Sequence, residues 1–204
     1  MTGDRPKPPA EEAQPFIVGL GGTTRTGSSS EKALRVALRH AERQGARTEL
    51  FAGNDIVLPM YAPESNERGE NALRLVAALR AAHGVIIASP GYHGSISGLV
   101  KNALDYTEDM RAGERVYFDG MAVGCIVTAF GWQAGGSTLA ALRSIAHALR
   151  GWPTPLGVII NSAQHKFGPD GDCEDADTQR NLEIMGAQVV EFARMRSLST
   201  ASGA

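Results

Sequence analysis

The sequence predicts a single α/β domain in which a five-stranded parallel sheet lies between two layers of helices. Five short apolar runs alternate with five segments whose apolar residues recur with helical spacing. A repeated β-α order implies right-handed crossovers and a doubly wound parallel sheet. Several runs are apolar at almost every position, which is typical of parallel strands that helices cover on both faces. A chain of 204 residues with 43% hydrophobic residues suits one domain of this kind.

The five strands are predicted from apolar runs at residues 16–20, 47–51, 84–89, 121–129 and 156–160. Each run is followed by a stripe of apolar residues that would share one face of a helix. In chain order, the stripes are Leu34, Ala37, Leu38 and Ala41; Ala72, Leu75, Val76 and Leu79; Ile96, Leu99, Val100, Ala103 and Leu104; Leu139, Leu142, Ile145, Ala146 and Leu149; and Leu182, Met185, Val189 and Ala193. Five strands favour the flavodoxin-like three-layer sandwich with strand order 2-1-3-4-5, whose ligand crevice lies at the carboxyl ends of strands 1 and 3.

The folded domain is expected to span residues 16–197. Residues 1–15 are rich in proline and charged residues and contain no apolar stretch, so they are interpreted as a disordered tail and not as a signal peptide. Residues 198–204 are interpreted as a flexible C-terminal tail. The longest nearly apolar run, residues 121–130, is about half as long as a membrane-spanning helix needs to be.

Charge and cysteine content exclude several classes of function. The formal net charge of −2 provides no broad basic surface for nucleic acid or an anionic membrane, so we expect a soluble, cytoplasmic protein that binds neither. Cys125 lies inside an apolar run and is expected to be a small core residue. Cys173 lies among carboxylates that would raise its pKa. No disulfide is expected between them, and no Cys/His spacing matches a metal site.

The loop after the first strand has the composition of a phosphate-binding turn. It is rich in glycine, which permits close approach of the backbone, and it leads into a helix N-terminus with unpaired N–H groups. Arg25 lies in the same stretch as six hydroxyl residues, which are Thr23, Thr24, Thr26, Ser28, Ser29 and Ser30. This set of donors predicts a site for a phosphate monoester dianion, which accepts several hydrogen bonds at once.

Two other interpretations of this loop stay open at this point. Ser28 and Glu31 form the Ser-x-x-Glu pattern of a helix capping box, which needs no ligand and is compatible with a phosphate site. Alternatively, Gly19-x-Gly21 would begin a dinucleotide-binding fingerprint. That interpretation is disfavoured because Thr24 stands at the third glycine position and no acidic residue follows the second strand.

The loop after the third strand predicts a surface for a flat ring. Residues 90–95 read Pro-Gly-Tyr-His-Gly-Ser, which combines aromatic faces with free backbone N–H groups at the mouth of the crevice. An isoalloxazine ring needs an apolar wall and donors near the atoms that become negative on reduction. His93 alone is more often an ordinary surface residue, and its position in this loop gives it weight. Lys101 and Asp105, four residues apart on the next helix, are assigned to a structural ion pair.

Together these loops resemble those of the NADPH-dependent FMN reductase family. Residues 22–30 are similar to that family's Gly-Ser-x-Arg-x-x-Ser phosphate loop. Residues 90–98, with Lys101-Asn102-x-Leu104-Asp105, resemble its Pro-Glu-Tyr-(Asn/His)-Gly-Ser loop and the helix that follows. Residues 128–136 resemble the glycine-rich turn after its fourth strand, and the likeness extends over residues 16–195.

The resemblance implies which residues hold the cofactor FMN. The phosphate would be bound by Thr23, Arg25, Ser28, Ser29 and Ser30. The ring would lie against Pro90, Gly91, Tyr92, His93, Gly94 and Ser95, and its other side would be closed by Thr128 and Gly131.

The sequence departs from the family pattern at two of these positions. Thr23 replaces the usual Ser, which is a mild change, whereas Gly91 replaces the usual Glu and removes a carboxylate from the ring edge. Trp132 has two interpretations, as a wall of the nicotinamide or acceptor site and as a buried packing residue.

The function that the resemblance implies is that of an NAD(P)H-dependent oxidoreductase. NADPH or NADH would reduce bound FMN, which would pass electrons to a small-molecule acceptor such as free flavin, a quinone, an azo dye or chromate. No catalytic acid or base is assigned; His93 and Tyr92 are candidate proton donors, but reduced flavin also exchanges protons with water. Family members are usually homodimers or homotetramers, with the helix after the second loop near the subunit contact. A flavodoxin-type electron carrier, which the near-neutral charge disfavours, and a flavin-free binding or regulatory protein are the alternatives.

Overall fold

The sheet is parallel and has the strand order that the sequence predicts. The computed structural model describes residues 14–202. Its strands are β1 (Phe16–Gly21), β2 (Arg47–Phe51), β3 (Gly84–Tyr92), β4 (Ser95–Ile96), β5 (Ala122–Ala129), β6 (Trp152–Pro153) and β7 (Val158–Asn161). Parallel pairing joins β2, β1, β3 and β5 in that order, and β6 and β7 both pair with β5. The predicted order 2-1-3-4-5 is confirmed, with β6 and β7 sharing the fifth position.

Helices cover both faces of this sheet. They are α1 (Ser29–Arg43), α2 (Glu70–Ala81), α3 (Gly98–Asp105), α4 (Trp132–Ala148) and α5 (Ala176–Ser202), and short 3-10 helices lie at Gly53–Ile56 and Tyr106–Met110. Helices α1 and α5 pack on one face, and α2, α3 and α4 pack on the other. Every residue of the five predicted apolar stripes belongs to one of the two resulting cores or packs against it.

Consecutive strand residues point to opposite cores. In β1, Ile17 faces α1 and α5 while Val18 faces the other three helices, and in β3 Ile86 and Val85 divide in the same way. All four side chains are fully buried. Burial on both faces is the reason that the strand sequences are apolar at consecutive positions.

Three element boundaries differ from the prediction. The fifth strand, predicted at residues 156–160, is divided: Trp152 and Thr154 donate their N–H groups at the start of β5, but the next donor in the series, the Leu156 N–H, bonds the Gln188 side chain instead. The third strand, predicted to end at residue 89, continues to Tyr92 because it folds back in a hairpin with β4. Ile96, assigned to the third helical stripe, lies in β4.

The C-terminal helix is longer than expected. Helix α5 continues to Ser202, past residue 197, because residues 197–202 include neither glycine nor proline. The predicted N-terminal tail lies outside the described residues except for Gln14 and Pro15. Within residues 14–202, no helix has the length and apolar character needed to cross a bilayer.

Both cysteines are buried free thiols. Cys125 is fully buried in the core, as predicted, and burial raises its pKa to about 12. The pKa of Cys173 is also raised, but the cause that we assigned to it needs correction. Burial of the thiol has the largest effect, and the charges of Asp175 and Glu174 add to it.

His83 ties the start of β3 to the start of β1. Its Nδ1 accepts a hydrogen bond from the Phe16 backbone N–H at 3.0 Å, and its own backbone N–H donates to the Phe16 carbonyl at 2.7 Å. Burial lowers the pKa of the imidazole, and the charges of Arg115 and Arg47 lower it further. An accepting Nδ1 must be unprotonated, so the hydrogen bond and the direction of the pKa shift agree.

We therefore expect the free energy of unfolding to fall as the pH drops below about 6.5, the ordinary pKa of histidine. In this range the unfolded chain binds a proton on His83 before the folded protein does, which favours unfolding. His83→Gln keeps an acceptor that does not titrate, and it should flatten the pH dependence of the urea midpoint. His147→Gln, at an exposed histidine of α4, is the control and should keep the wild-type slope. Equal slopes in the wild type and His83→Gln would contradict this role.

Candidate functional site

The three predicted site loops meet at the carboxyl edge of neighbouring strands. Gly21, the last residue of β1, pairs with Ala88 of β3, and Pro90 of β3 pairs with Thr128 of β5. The loops that follow β1, β3 and β5 therefore leave the sheet side by side, as the predicted strand order requires.

Gly21 allows the first loop to lie directly against β3. Its φ of 146° is unfavourable for other residues, and a Cβ there would lie 1.9 Å from the Ala88 carbonyl oxygen. The same carbonyl accepts a hydrogen bond from the Gly22 N–H at 3.0 Å. A side chain at position 21 would thus push the first loop away from the second.

The predicted capping box is present at the start of α1 in a modified form, since Glu31 bonds the N–H of the residue before the cap and not that of the N-cap Ser28. The Ser28 Oγ accepts a hydrogen bond from the Glu31 N–H at 3.3 Å, and the Glu31 carboxylate accepts one from the Gly27 N–H at 2.9 Å. Glu31 is buried, and Arg35 donates to its Oε1 from Nε and Nη2 at 3.0 and 2.8 Å. Arg35 thereby offsets a negative charge that would otherwise repel an anion in this loop.

The donors around the loop fit a phosphate group. The Ser28 and Ser30 hydroxyls are buried and lie 3.4 Å apart. Within the described chain, the backbone N–H groups of Ser29 and Ser30 have no hydrogen-bond partner, as expected for the first turn of a helix. The Arg25 guanidinium is exposed and makes no ion pair with any described residue. Thr23 accepts a hydrogen bond from the Arg25 N–H at 3.1 Å and shapes the turn.

The second loop is a tight hairpin. His93 and Gly94 have φ values of 53° and 81°, as in the two-residue turns that join antiparallel strands, and they connect Tyr92 to Ser95. Histidine tolerates this left-handed conformation better than most residues, which gives His93 a structural reason to stand here. Tyr92 is 54% exposed, so its ring is available to a ligand.

Gly91 is explained by the packing of α4. A Cβ at this position would lie 2.8 Å from Thr138 Oγ1 and 3.2 Å from the Ala129 Cβ. Thr138 is fully buried, and its hydroxyl donates to the Ser95 carbonyl at 3.4 Å. The space that the family's usual Glu would need for its Cβ is therefore occupied by a neighbouring helix.

The third loop contributes exposed aromatic side chains. Thr128 is buried at the end of β5, and Gly131 precedes the first residue of α4. Phe130 and Trp132 are 87% and 52% exposed. The interpretation of Trp132 as a buried packing residue is therefore wrong.

The sequence patterns did not indicate the part played by residues 52–69, the loop between β2 and α2. Asn102 of α3 anchors this loop, since its Oδ1 accepts from the Tyr61 N–H at 2.9 Å and its Nδ2 donates to the Pro59 carbonyl at 3.0 Å. Met60, which lies between these two anchored residues, is 79% exposed. The length of the loop was the available signal, because long ordered loops are often functional.

Arg68 fastens the other end of the same loop. Its Nε and Nη2 donate to the Asp109 carboxylate at 2.6 and 2.9 Å, and its guanidinium lies 4.9 Å from the centre of the Tyr61 ring. The hydrogen bonds from Arg68 hold the pKa of Asp109 below its usual range. This cation is therefore engaged within the protein, and Lys101 is likewise paired with Asp105, as predicted.

A turn whose donors suit a phosphate and a hairpin with an exposed aromatic ring lie on either side of the switch point of a flavodoxin-like sheet, which is where flavodoxin-like proteins bind FMN. The sequence model of the NADPH-dependent FMN reductase family matches residues 15–165 of the chain. Because the match covers more than half of the chain, the chain belongs to that family.

Individual relatives agree with this assignment. The FMN-dependent NADPH-azoreductase of Staphylococcus aureus is 26% identical over 178 residues, which are 84% of this chain and 91% of that protein. FerB, a flavoenzyme NAD(P)H:(acceptor) oxidoreductase from Paracoccus denitrificans, superposes with a TM-score of 0.67 at 22% identity, covering 89% of this chain and 98% of that one. The WrbA-like flavodoxin from Agrobacterium tumefaciens superposes with a TM-score of 0.63 at 17% identity, covering 90% and 99%.

The two structural likenesses establish the flavodoxin-like fold. The family match and the azoreductase relative establish that the chain is an NAD(P)H-dependent flavin oxidoreductase with FMN as its cofactor. Such an enzyme transfers electrons to a small-molecule acceptor.

The close contact at Gly91 can be tested by substitution. Gly91→Ala should lower the free energy of unfolding by about 1–3 kcal/mol, because the added methyl group overpacks against Thr138. Thr138→Ala removes the hydroxyl that the new Cβ would meet, so the double variant should be more stable than the sum of the single effects predicts. Urea denaturation of the four proteins measures both quantities. Strictly additive effects would mean that the two side chains do not compete for the same space.

Proposed function

We propose that FMN lies across the three loops, with its phosphate in the turn at residues 22–30 and its ring between the hairpin at residues 90–95 and the turn from Thr128 to Gly131. The observation that carries this placement is the donor set at the start of α1. Buried hydroxyls of Ser28 and Ser30, unpaired first-turn N–H groups and the unpaired Arg25 share one turn, in which the charge of Glu31 is already offset. A phosphate dianion satisfies all of these donors at once.

The chain's own residues position the reacting partners. When bound, FMN would supply the redox chemistry, which is hydride acceptance from NADPH or NADH and electron delivery to the acceptor. Ser89 fixes the ring-binding hairpin, because its buried Oγ accepts from the Ser97 N–H at 3.0 Å and donates to the Pro90 carbonyl at 2.9 Å. Tyr92 and His93 are both exposed, so water has access to the same protons and no side chain is required as an obligatory acid or base.

The acceptor that we propose is a small planar organic molecule, such as a quinone, a free flavin or an azo compound. The azoreductase relative supports this class, as do the exposed side chains of Tyr92, Phe130 and Trp132 beside the crevice. We further propose a cytoplasmic homodimer or homotetramer, with α3 near the subunit contact. Met60 supports an interface there. Its chain neighbours Pro59 and Tyr61 are bonded to Asn102 of α3, its side chain is exposed, and large exposed apolar side chains favour association.

The central experiment is anaerobic mixing of the FMN-loaded protein with NADPH or NADH, followed by flavin absorbance. We expect rapid bleaching and, after addition of menadione, recovery of the oxidised spectrum. A purified protein that contains no FMN and does not bind added FMN would instead indicate a flavin-free protein. Bound FMN that neither nucleotide bleaches would indicate an electron carrier, and either result would overturn the proposal.

The phosphate subsite is tested by Arg25→Ala. Loss of one charge-assisted hydrogen bond should weaken FMN binding by about 10- to 100-fold. Affinity for riboflavin, which lacks the phosphate, should stay the same, and fluorescence titration measures both. Arg43→Ala, at an exposed arginine near the far end of α1, is the matched control. An unchanged FMN affinity would remove Arg25 from the phosphate site.

A further inference from the structure

The turn after β5 presents two large, exposed aromatic side chains that are available to contact a ligand. Phe130 and Trp132 are 87% and 52% exposed. They follow directly from the strand end at which Thr128 pairs with Pro90 of the ring-binding hairpin. Adjacent exposed aromatic residues at the rim of a crevice are typical of a surface that contacts an apolar partner.

A tight turn after β7 is fastened to the same strand end. The Ser162 N–H and Oγ both donate to the Ala129 carbonyl, at 2.9 and 3.1 Å. The Asn161 carbonyl in turn accepts a hydrogen bond from the His165 N–H at 2.8 Å. These bonds return the chain toward β5 and place His165 next to Trp132.

His165 is held between the indole of Trp132 and a carboxylate. The two ring centres are 5.8 Å apart at an interplanar angle of 70°, which is an edge-to-face contact. On the other side, His165 Nδ1 lies 3.6 Å from Asp175 Oδ1, and that oxygen accepts a hydrogen bond from the Thr178 N–H at 2.8 Å. The imidazole is only 18% exposed, so it is packed in place while the indole stays open on its remaining surface.

Hydrogen bonding by Thr178 lowers the pKa of Asp175, and the nearby His165 lowers it further. The carboxylate is therefore ionised at neutral pH. This carboxylate, which caps the N-terminus of α5, gives the imidazole a fixed anionic neighbour, and the imidazole in turn packs against the indole.

We propose that Trp132 is a specificity-determining residue of the acceptor site and that His165 is the positioning residue that holds its indole at the rim of the crevice. The occupant is a planar aromatic electron acceptor of the quinone type, which gains a stacking or edge contact with the indole. An acceptor that takes electrons without entering the crevice makes no contact with the indole, so its reduction should not depend on Trp132. This inference rests on the proposed function, since the acceptor reaches Trp132 only if the flavin ring lies beside the hairpin.

The first test compares two acceptors on the FMN-loaded enzyme at saturating NADPH. Trp132→Ala should lower kcat/KM for menadione by about tenfold relative to that for ferricyanide, a non-aromatic one-electron oxidant. Trp132→Phe should retain most of the preference for menadione. His165→Ala should also lower the ratio of kcat/KM for menadione to that for ferricyanide. His165→Phe should restore this ratio, because it keeps an aromatic ring against the indole.

Trp152→Ala is the matched control. Trp152 is 62% exposed, as open as Trp132, but it pairs with Ala122 at the opposite end of β5. The ratio of kcat/KM for menadione to that for ferricyanide should equal the wild-type ratio in this variant.

The second test observes the indole directly, without turnover. Protein that contains 5-fluorotryptophan should give two 19F resonances, since the chain has two tryptophans. Trp132→Phe and Trp152→Phe assign them. Menadione added to the FMN-loaded protein without NADPH should shift the Trp132 resonance and not that of Trp152, and His165→Ala should shift the Trp132 resonance before menadione is added.

The outcomes separate this inference from the proposed function. If the wild type binds FMN and NADPH bleaches it, but Trp132→Ala keeps the wild-type ratio between the two acceptors, the inference fails alone. Equal losses with both acceptors in His165→Ala would overturn the positioning role. Loss of subunit association in Trp132→Ala, measured by light scattering, would assign the indole to contact with a second copy of the chain and overturn the inference. Failure of the wild type to bind FMN would overturn the proposed function itself.

Discussion

The contact between Gly21 and the Ala88 carbonyl is the constraint on which the rest of the site depends. No side chain fits between the ends of β1 and β3, because a Cβ at Gly21 would lie 1.9 Å from that oxygen. The Gly22 N–H extends the pairing one residue beyond the strand. The turn that leads to α1 and the hairpin that follows β3 therefore begin next to each other. One ligand with an anionic end and a flat end can span both, and this is the shape of FMN.

Charge within the site is balanced by the same residues that build it. Glu31 completes the first loop by accepting the Gly27 N–H, and a buried carboxylate at that place would by itself disfavour a phosphate. Arg35, one helical turn further along, takes up that charge with two hydrogen bonds. Arg25 is then left without a partner among the described residues and is free to act on a ligand. In the loop between β2 and α2, Arg68 is paired with Asp109 and therefore holds a chain segment in place.

The strand order was predictable because the repeated β-α order along the chain restricts the topology, and the helix cap at Ser28 was predictable because its residues are close together in the sequence. Features that depend on distant residues could not be predicted. The reason for Gly91 lies in Thr138 of α4, and the third strand, predicted to end at residue 89, continues to Tyr92 because it pairs with β4. For Cys173, the acidic neighbours were visible in the sequence but the burial that dominates its pKa was not. The placement of FMN on the individual residues stays a prediction.

The divided last strand has a consequence for how molecules of this protein can meet. The edge formed by β6 and β7 contains Pro153 and Pro155, neither of which has an N–H to offer to a further strand. An uninterrupted parallel edge would be a template for strands of other chains, with the risk of open-ended aggregation. Here the row of donors is broken in its middle. Association on this side of the sheet must therefore rely on side-chain contacts, which can be selective, and not on extension of the backbone ladder, which cannot.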